Sequence, residues 1–105
     1  MDTVKSKNDV TIRLTAERWI HITEEHAEMA GYYHEVLEAI EDPDIIYAGK
    51  RGECLAAKEM DKDKYIVAIY KEENGGSMDG FIITAFITKR KKQLERRPVL
   101  WQRRK

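Results

Sequence analysis

The apolar residues of this chain change from helical to alternating spacing at Asp42-Pro43-Asp44. Before it, Trp19, Ile22, Met29, Ala30, Tyr33, Val36, Leu37 and Ile40 share one stripe at about 100° per residue, the pattern of an amphipathic helix running to Glu41. After it apolar and polar residues alternate, which places the apolar ones on one face of a strand. Pro43 sets the boundary because it disfavours helical backbone at the residue before it. A helical stretch followed by a run of strands predicts an α+β fold.

The elements follow from local signals. Val10, Ile12 and Leu14 alternate with polar residues and predict a short strand, after which Thr15 is an N-cap with Glu17 in the first helical turn. Gly31 divides the helix in two or is carried within it, since the apolar phase survives it. Strands are predicted at 45–48, 54–59, 65–72 and 81–88, separated by turn signals at 49–52, 61–64 and 74–80. Such short connections favour an antiparallel meander. The fold class predicted is therefore an N-terminal strand and one or two helices packed on a four-stranded antiparallel sheet, with a basic C-terminal helix or tail. On the last strand Phe81, Ile83, Ala85 and Ile87 are placed under the helix, with Ile82, Thr84, Phe86 and Thr88 on the other face. The basic segment reads as helix from Lys89 to Arg97, stopped by Pro98, with Trp101 anchoring the tail. Residues 1–9 are polar and read as a disordered N-terminus, 10–88 as a single domain and 89–105 as a basic appendage.

At 105 residues the chain has room for one domain, and its 42% hydrophobic content can supply one core. Cys54 is the single cysteine, so no intrachain disulfide forms, which fits a reducing, cytoplasmic compartment. No apolar run is long enough for a signal peptide or a membrane span: the longest, Phe81 to Ile87, is interrupted by Thr84. Net charge is zero, from 19 basic and 19 acidic side chains, but its distribution is uneven. Residues 1–47 hold 4 basic and 11 acidic groups, residues 48–105 hold 15 and 8, and residues 89–105 hold 9 basic groups against Glu95 alone. A basic block of this kind attracts phosphates and releases their counterions; it is equally a solvated face, or a counterweight to the acidic helix.

Several short strings carry a family likeness. Glu17-Arg18-Trp19-Ile20-His21-Ile22, His26-Ala27-Glu28-Met29, Val36-Leu37-Glu38, Pro43-Asp44, Tyr70-Lys71-Glu72 and Gly80-Phe81-Ile82-Ile83-Thr84-Ala85-Phe86 resemble small microbial and phage-associated proteins of the barnase, EndoU, colicin and RelE-like (BECR) nuclease superfold. The likeness covers about residues 12–88. It implies N-terminal helices before a four-stranded antiparallel sheet, RNA as substrate (ribosomal and transfer RNA among the candidates), chemistry without a metal or cofactor, and a neutralising partner protein. Ala27 departs from the pattern, which often has proline after the second histidine.

Metal-free RNA cleavage needs a base near the 2′-hydroxyl, an acid near the leaving oxygen, and cations or hydroxyls around the phosphate. His26, on the apolar stripe, is a candidate base, or a hydrogen-bonded core histidine. His21 has Glu25 four residues on, an orienting partner or an ordinary surface pair; His34 and Glu38 repeat that spacing and read as structural. Thr84 and Thr88 share a strand face and can open onto one cleft, although threonine's strand preference explains them equally. Lys58 is placed at the same cleft, or is an exposed strand lysine. Arg18, Arg51, Lys71, Lys89 and Arg90 are candidates for holding phosphate, or solubility charges. Cys54 reads as a small buried residue. His21 and His26 lie about 140° apart round a helix and no H-E-x-x-H occurs, so no zinc site is predicted. Two functions compete: a toxin-type ribonuclease acting by 2′-hydroxyl attack, and a non-catalytic module that binds RNA or protein.

Overall fold

The computed structural model describes residues 2–73 and 79–104. Its elements are β1 (Asp2–Lys5), β2 (Thr11–Leu14), α1 (Ala16–Glu25), a 3-10 turn (Ala27–Met29), α2 (Tyr33–Glu41), β3 (Ile45–Ala48), β4 (Cys54–Asp61), β5 (Lys64–Glu72), β6 (Asp79–Thr88), α3 (Lys91–Leu94) and β7 (Val99–Gln102). The strands form one seven-stranded mixed sheet in the order β1-β2-β6-β5-β4-β3-β7, in which β2 runs parallel to β6 and every other pair is antiparallel.

The α+β class and the meander from β3 to β6 agree with the sequence reading, but the four-stranded antiparallel sheet does not. Three further strands extend it. Residues 2–5, expected to be disordered, pair with β2, and Val4 packs on the core while its neighbours face out. The expected helix from Lys89 to Arg97 is a single turn at Lys91–Leu94, and the segment after Pro98 adds β7 to the outer edge of β3. The segment from Lys89 is thus part of the domain. Both added edge strands have four residues; β1 closes a hairpin with β2 and turns only Val4 to the core, while β7 is held by β3, distant in sequence.

Thr15 caps α1 as expected, its Oγ1 accepting the Arg18 N–H at 3.1 Å. The helix breaks earlier than Gly31: α1 ends at Glu25, His26 leaves helical geometry at φ −132°, and Gly31 takes the φ of +92° that turns the chain into α2. This break lets Ile22 and Met29 both reach the core. α2 buries Val36, Leu37, Ala39 and Ile40 against the sheet and ends before Pro43. Two cores result, one on each sheet face. The helix side gathers Ile12, Leu14, Ile22, Met29, Val36, Ile40, Ile66 and Tyr70, and the far side holds a smaller cluster of Tyr47, Leu55, Ala57 and Val67 under Leu94. Each large aliphatic side chain so buried contributes about 1.5–3 kcal/mol.

The face assignment on β6 is half corrected. Tyr70 pairs with Ile82 and Ile69 with Thr84, leaving Ile83 unpaired in a bulge. An extra residue shifts the alternation by one. Ala85 and Ile87 lie on the helix side as expected, but before the bulge it is Gly80 and Ile82, not Phe81 and Ile83, that are buried. Gly80 sits where a Cβ would come within 2.5 Å of the Lys71 carbonyl oxygen, so only glycine fits between β2 and β5. Of the expected turns, 49–52 and 61–64 lie in the described chain, and most of 74–80 falls outside the described residues. The sheet also curls: Lys7, in the β1–β2 turn, places its Nζ 5.0 Å from the ring centre of Trp101 on β7. Trp101 packs on the helix-side core and anchors the tail as expected. Among the described residues no helix is long and apolar enough to cross a membrane.

Candidate nucleic-acid interface

After β6 the chain must cross the far face of the sheet to reach β3, and the crossover is where the basic residues collect. Thr88 starts it, its Oγ1 accepting the Arg90 N–H at 3.0 Å. One helical turn then lays Leu94, 6% exposed, over Tyr47, Leu55, Ala57 and Val67. With the apolar side of the turn facing the sheet, Lys89, Arg90, Lys91 and Lys92 face solvent. Among the described residues, none of Lys89, Arg90, Lys91, Lys92, Arg96 and Arg97 takes part in an ion pair. Elsewhere three cations are neutralised within the fold, while others among the described residues, such as Lys5, Lys50, Lys62 and Lys71, are likewise outside any ion pair. Arg13 pairs with Asp79 at 3.6 Å, Lys58 with Glu38 and Asp42 at 3.0 Å each, and Arg103 with Asp42 and Asp44.

Two hollows flank the crossover. The larger, about 550 Å³, is lined by Tyr65, Asp63, Glu95 and residues 89–93, and Lys91 Nζ stands 5.7 Å from the Tyr65 ring centre. The Tyr65 hydroxyl beside it holds the Lys91 ammonium above its ordinary range, so this charge is fixed at neutral pH. The smaller, about 160 Å³, has Phe86, Ile69 and Leu55 as its floor and Thr88, Arg90 and Arg97 at its rim. Arg90 borders both. Fixed cations beside flat aromatic rings hold phosphates while bases stack.

Of the predicted catalytic residues, the structure brings Thr84 and Thr88 to this far face with Phe86 between them. Thr88 Oγ1 is occupied by the crossover, and Thr84 Oγ1 is buried without a hydrogen-bond partner among the described residues. His26 lies at the adjoining edge. Beyond Phe81, β6 has no strand partner on the β2 side, and α1 covers that edge, with Arg18 donating to the Ile83 carbonyl at 3.4 Å. His26, with its side chain 35% exposed, puts its ring 6.1 Å from that of Phe86 and its Nδ1 3.7 Å from Glu28. It is therefore not the buried stripe histidine the periodicity predicted, because the helix ends at it. His21 is exposed on α1 and its acidic neighbour is Glu24 at 3.9 Å, not Glu25. His34 packs edge-on against Tyr33, 5.5 Å between ring centres, while Glu38 serves Lys58.

Lys58 is a correction. It lies on the helix side of β4, opposite to Thr84 and Thr88, and its ammonium is consumed by Glu38 Oε1, Asp42 Oδ2 and the Asp42 carbonyl. Burial opposes its charge, but those partners more than restore it and raise its pKa. Arg51 sits in the β3–β4 turn, where its N–H donates to Glu53 at 2.7 Å, and Lys71 is exposed on β5. Neither joins the hollows. Burial pushes the Cys54 thiol up, as suits a packed small residue. Sequence reasoning did not single out Tyr65 and Phe86, the aromatic side chains beside the basic crossover; the signal was their alternation with Val67 and Thr88, read only as strand. It also missed Arg103, whose partners are the Asp42-Pro43-Asp44 turn itself. Comparison with protein-family models, with characterised proteins and with solved structures gives no match for this chain.

Proposed function

We propose that the chain is an RNA-binding module that holds single-stranded RNA along the β6–β7 crossover, with phosphates on Lys89, Arg90, Lys92 and Arg97 and bases against Tyr65 and Phe86. One observation carries this reading: a single crossover brings five cations outside any ion pair, Lys89, Arg90, Lys91, Lys92 and Arg97, to two hollows bordered by Tyr65 and Phe86. The likeness to BECR nucleases supports RNA as the polyanion, and the lone buried thiol accords with work in the cytoplasm. The test is a titration of a labelled single-stranded RNA at several salt concentrations. Log affinity should fall linearly with log salt, and each of the four cations replaced by Gln should flatten the slope by about 0.7. A slope unchanged in the fourfold variant overturns the reading; equal affinity for DNA of the same sequence broadens it to any single strand.

A second reading, the metal-independent ribonuclease, is favoured by His26 and Phe86 meeting at the same edge of β6. RNA incubated with the protein in chelator would then acquire 2′,3′-cyclic phosphate ends, and His26→Ala would abolish them. Binding without cleavage leaves the module reading in place.

A further inference from the structure

The chain has three exposed large hydrophobic residues among those described, Ile20 at 57%, Val99 at 51% and Leu100 at 57%, and they lie in settings of opposite charge. Ile20 is on the outer ridge of α1 between Glu17 and Glu24, three residues before and four after it, so the three side chains share one helical face. Val99 and Leu100 follow Arg96 and Arg97 and open β7, where a bulge leaves Leu100 unpaired with β3. The first patch is apolar with an acidic rim and the second is apolar with a basic rim. They belong to different elements: α1 covers the β6 edge beside β2, and β7 is the strand outside β3.

We propose that the partner of each patch is the other patch on a second copy of this chain, giving a head-to-tail contact in which Ile20 meets Val99 and Leu100 while Glu17 and Glu24 meet Arg96 and Arg97. A central apolar anchor ringed by complementary charge is the pattern of a small transient interface, in which the anchor supplies most of the energy and the charges set orientation. Because each contact joins two different patches on two different elements, the arrangement proposed is head-to-tail. In an open chain of copies one patch of each kind stays free at the two ends, so further copies can add. Zero net charge removes the long-range repulsion that would keep copies separate. This inference does not depend on RNA binding.

The test is sedimentation equilibrium of the full chain over a range of concentrations, at about 20 mM and about 500 mM salt, which bracket long and short screening lengths. At low salt the weight-average mass should climb with concentration to more than twice 12.3 kDa, and at high salt it should fall toward that value. Two variants then fix the geometry: Glu17→Lys with Ile20→Ser on α1, and Arg96→Glu with Leu100→Ser on the crossover. Each alone should stay monomeric, and an equimolar mixture should form a one-to-one dimer and stop there, because each retains the patch the other lacks. Circular dichroism of each variant confirms the fold, and the mixture shows directly that the remaining patch is intact. A wild-type chain monomeric throughout, association that survives in either variant alone, or a mixture that stays monomeric would each overturn the proposal. Binding of an unrelated acidic peptide to Val99 and Leu100 with no self-association would also overturn it.

Discussion

Arg103, Lys58 and the Asp42-Pro43-Asp44 turn form one connected charge cluster. The Arg103 guanidinium, and after it the Lys58 ammonium, hold the Asp42 carboxyl at about 2, below its ordinary 3.8. A depressed carboxylate contributes stability above its unfolded pKa and loses it as pH falls through the folded one, here between about 4 and 2. In Arg103→Gln that stretch of the stability-against-pH curve should flatten, with lower stability at pH 7; an unchanged acid limb in urea melts at stepped pH would contradict it. Thr84 presents the opposite case. Its Oγ1 is buried with no partner among the described residues, so Thr84→Val, which keeps the shape and removes the desolvated hydroxyl, should leave stability equal or raise it by about 1 kcal/mol. A denaturant midpoint shifted down would show that the hydroxyl has a hidden partner. The two residues differ in legibility: a threonine in a strand is visible in any alternation, but whether its oxygen finds a donor is set by side chains from elsewhere.

At the scale of elements, α3 is a four-residue helix that cannot be stable alone, since isolated helices shorter than about 12–15 residues are marginal in water. Leu94 holds it. Leu94→Ala should cost about 2–5 kcal/mol and release the crossover, read as a lower urea midpoint and as faster amide exchange in Val99–Gln102. For the same reason a chain cut before Lys89 loses β7 and uncovers the far-side core, so charge substitutions and not truncation must test RNA binding. Strand β1 has its own tether: Tyr33 donates its hydroxyl to Asp2 at 2.6 Å, and that bond raises the phenol to about 12. A raised phenol pKa contributes stability below pH 10 that is lost toward pH 12, so Tyr33→Phe should remove that alkaline limb and loosen β1. The meander from β3 to β6 was legible because its neighbours are consecutive and its turns short. The edge strands were not, because β1 turns a single apolar residue, Val4, to the core and β7 depends on β3, remote in sequence.

For the whole molecule the segregation of charge along the chain becomes a segregation across the sheet. Residues 16–41 carry seven glutamates against Arg18, and the crossover from 89 to 97 carries six cations against Glu95, on opposite faces. Like charges within a face are closer than opposite charges across the sheet, so adding salt from about 10 to 150 mM at pH 7 should raise the thermal midpoint by screening the nearer repulsions. A midpoint that falls would mean the ion pairs around Asp42 dominate. By itself the sequence determined the α+β class, the helix cap at Thr15, the stop at Pro43, the meander and the basic block, since each depends on neighbours within a few residues. The tertiary structure decided the rest: the edge strands β1 and β7, the parallel pairing of β2 with β6, the bulge at Ile83, the removal of Lys58 to the acidic side, the partial exposure of His26 and the crossover that sets unpaired cations beside Tyr65 and Phe86. Periodicity reports which residues share a face, but which face meets which, and which charges are neutralised on meeting, depends on contacts between segments tens of residues apart.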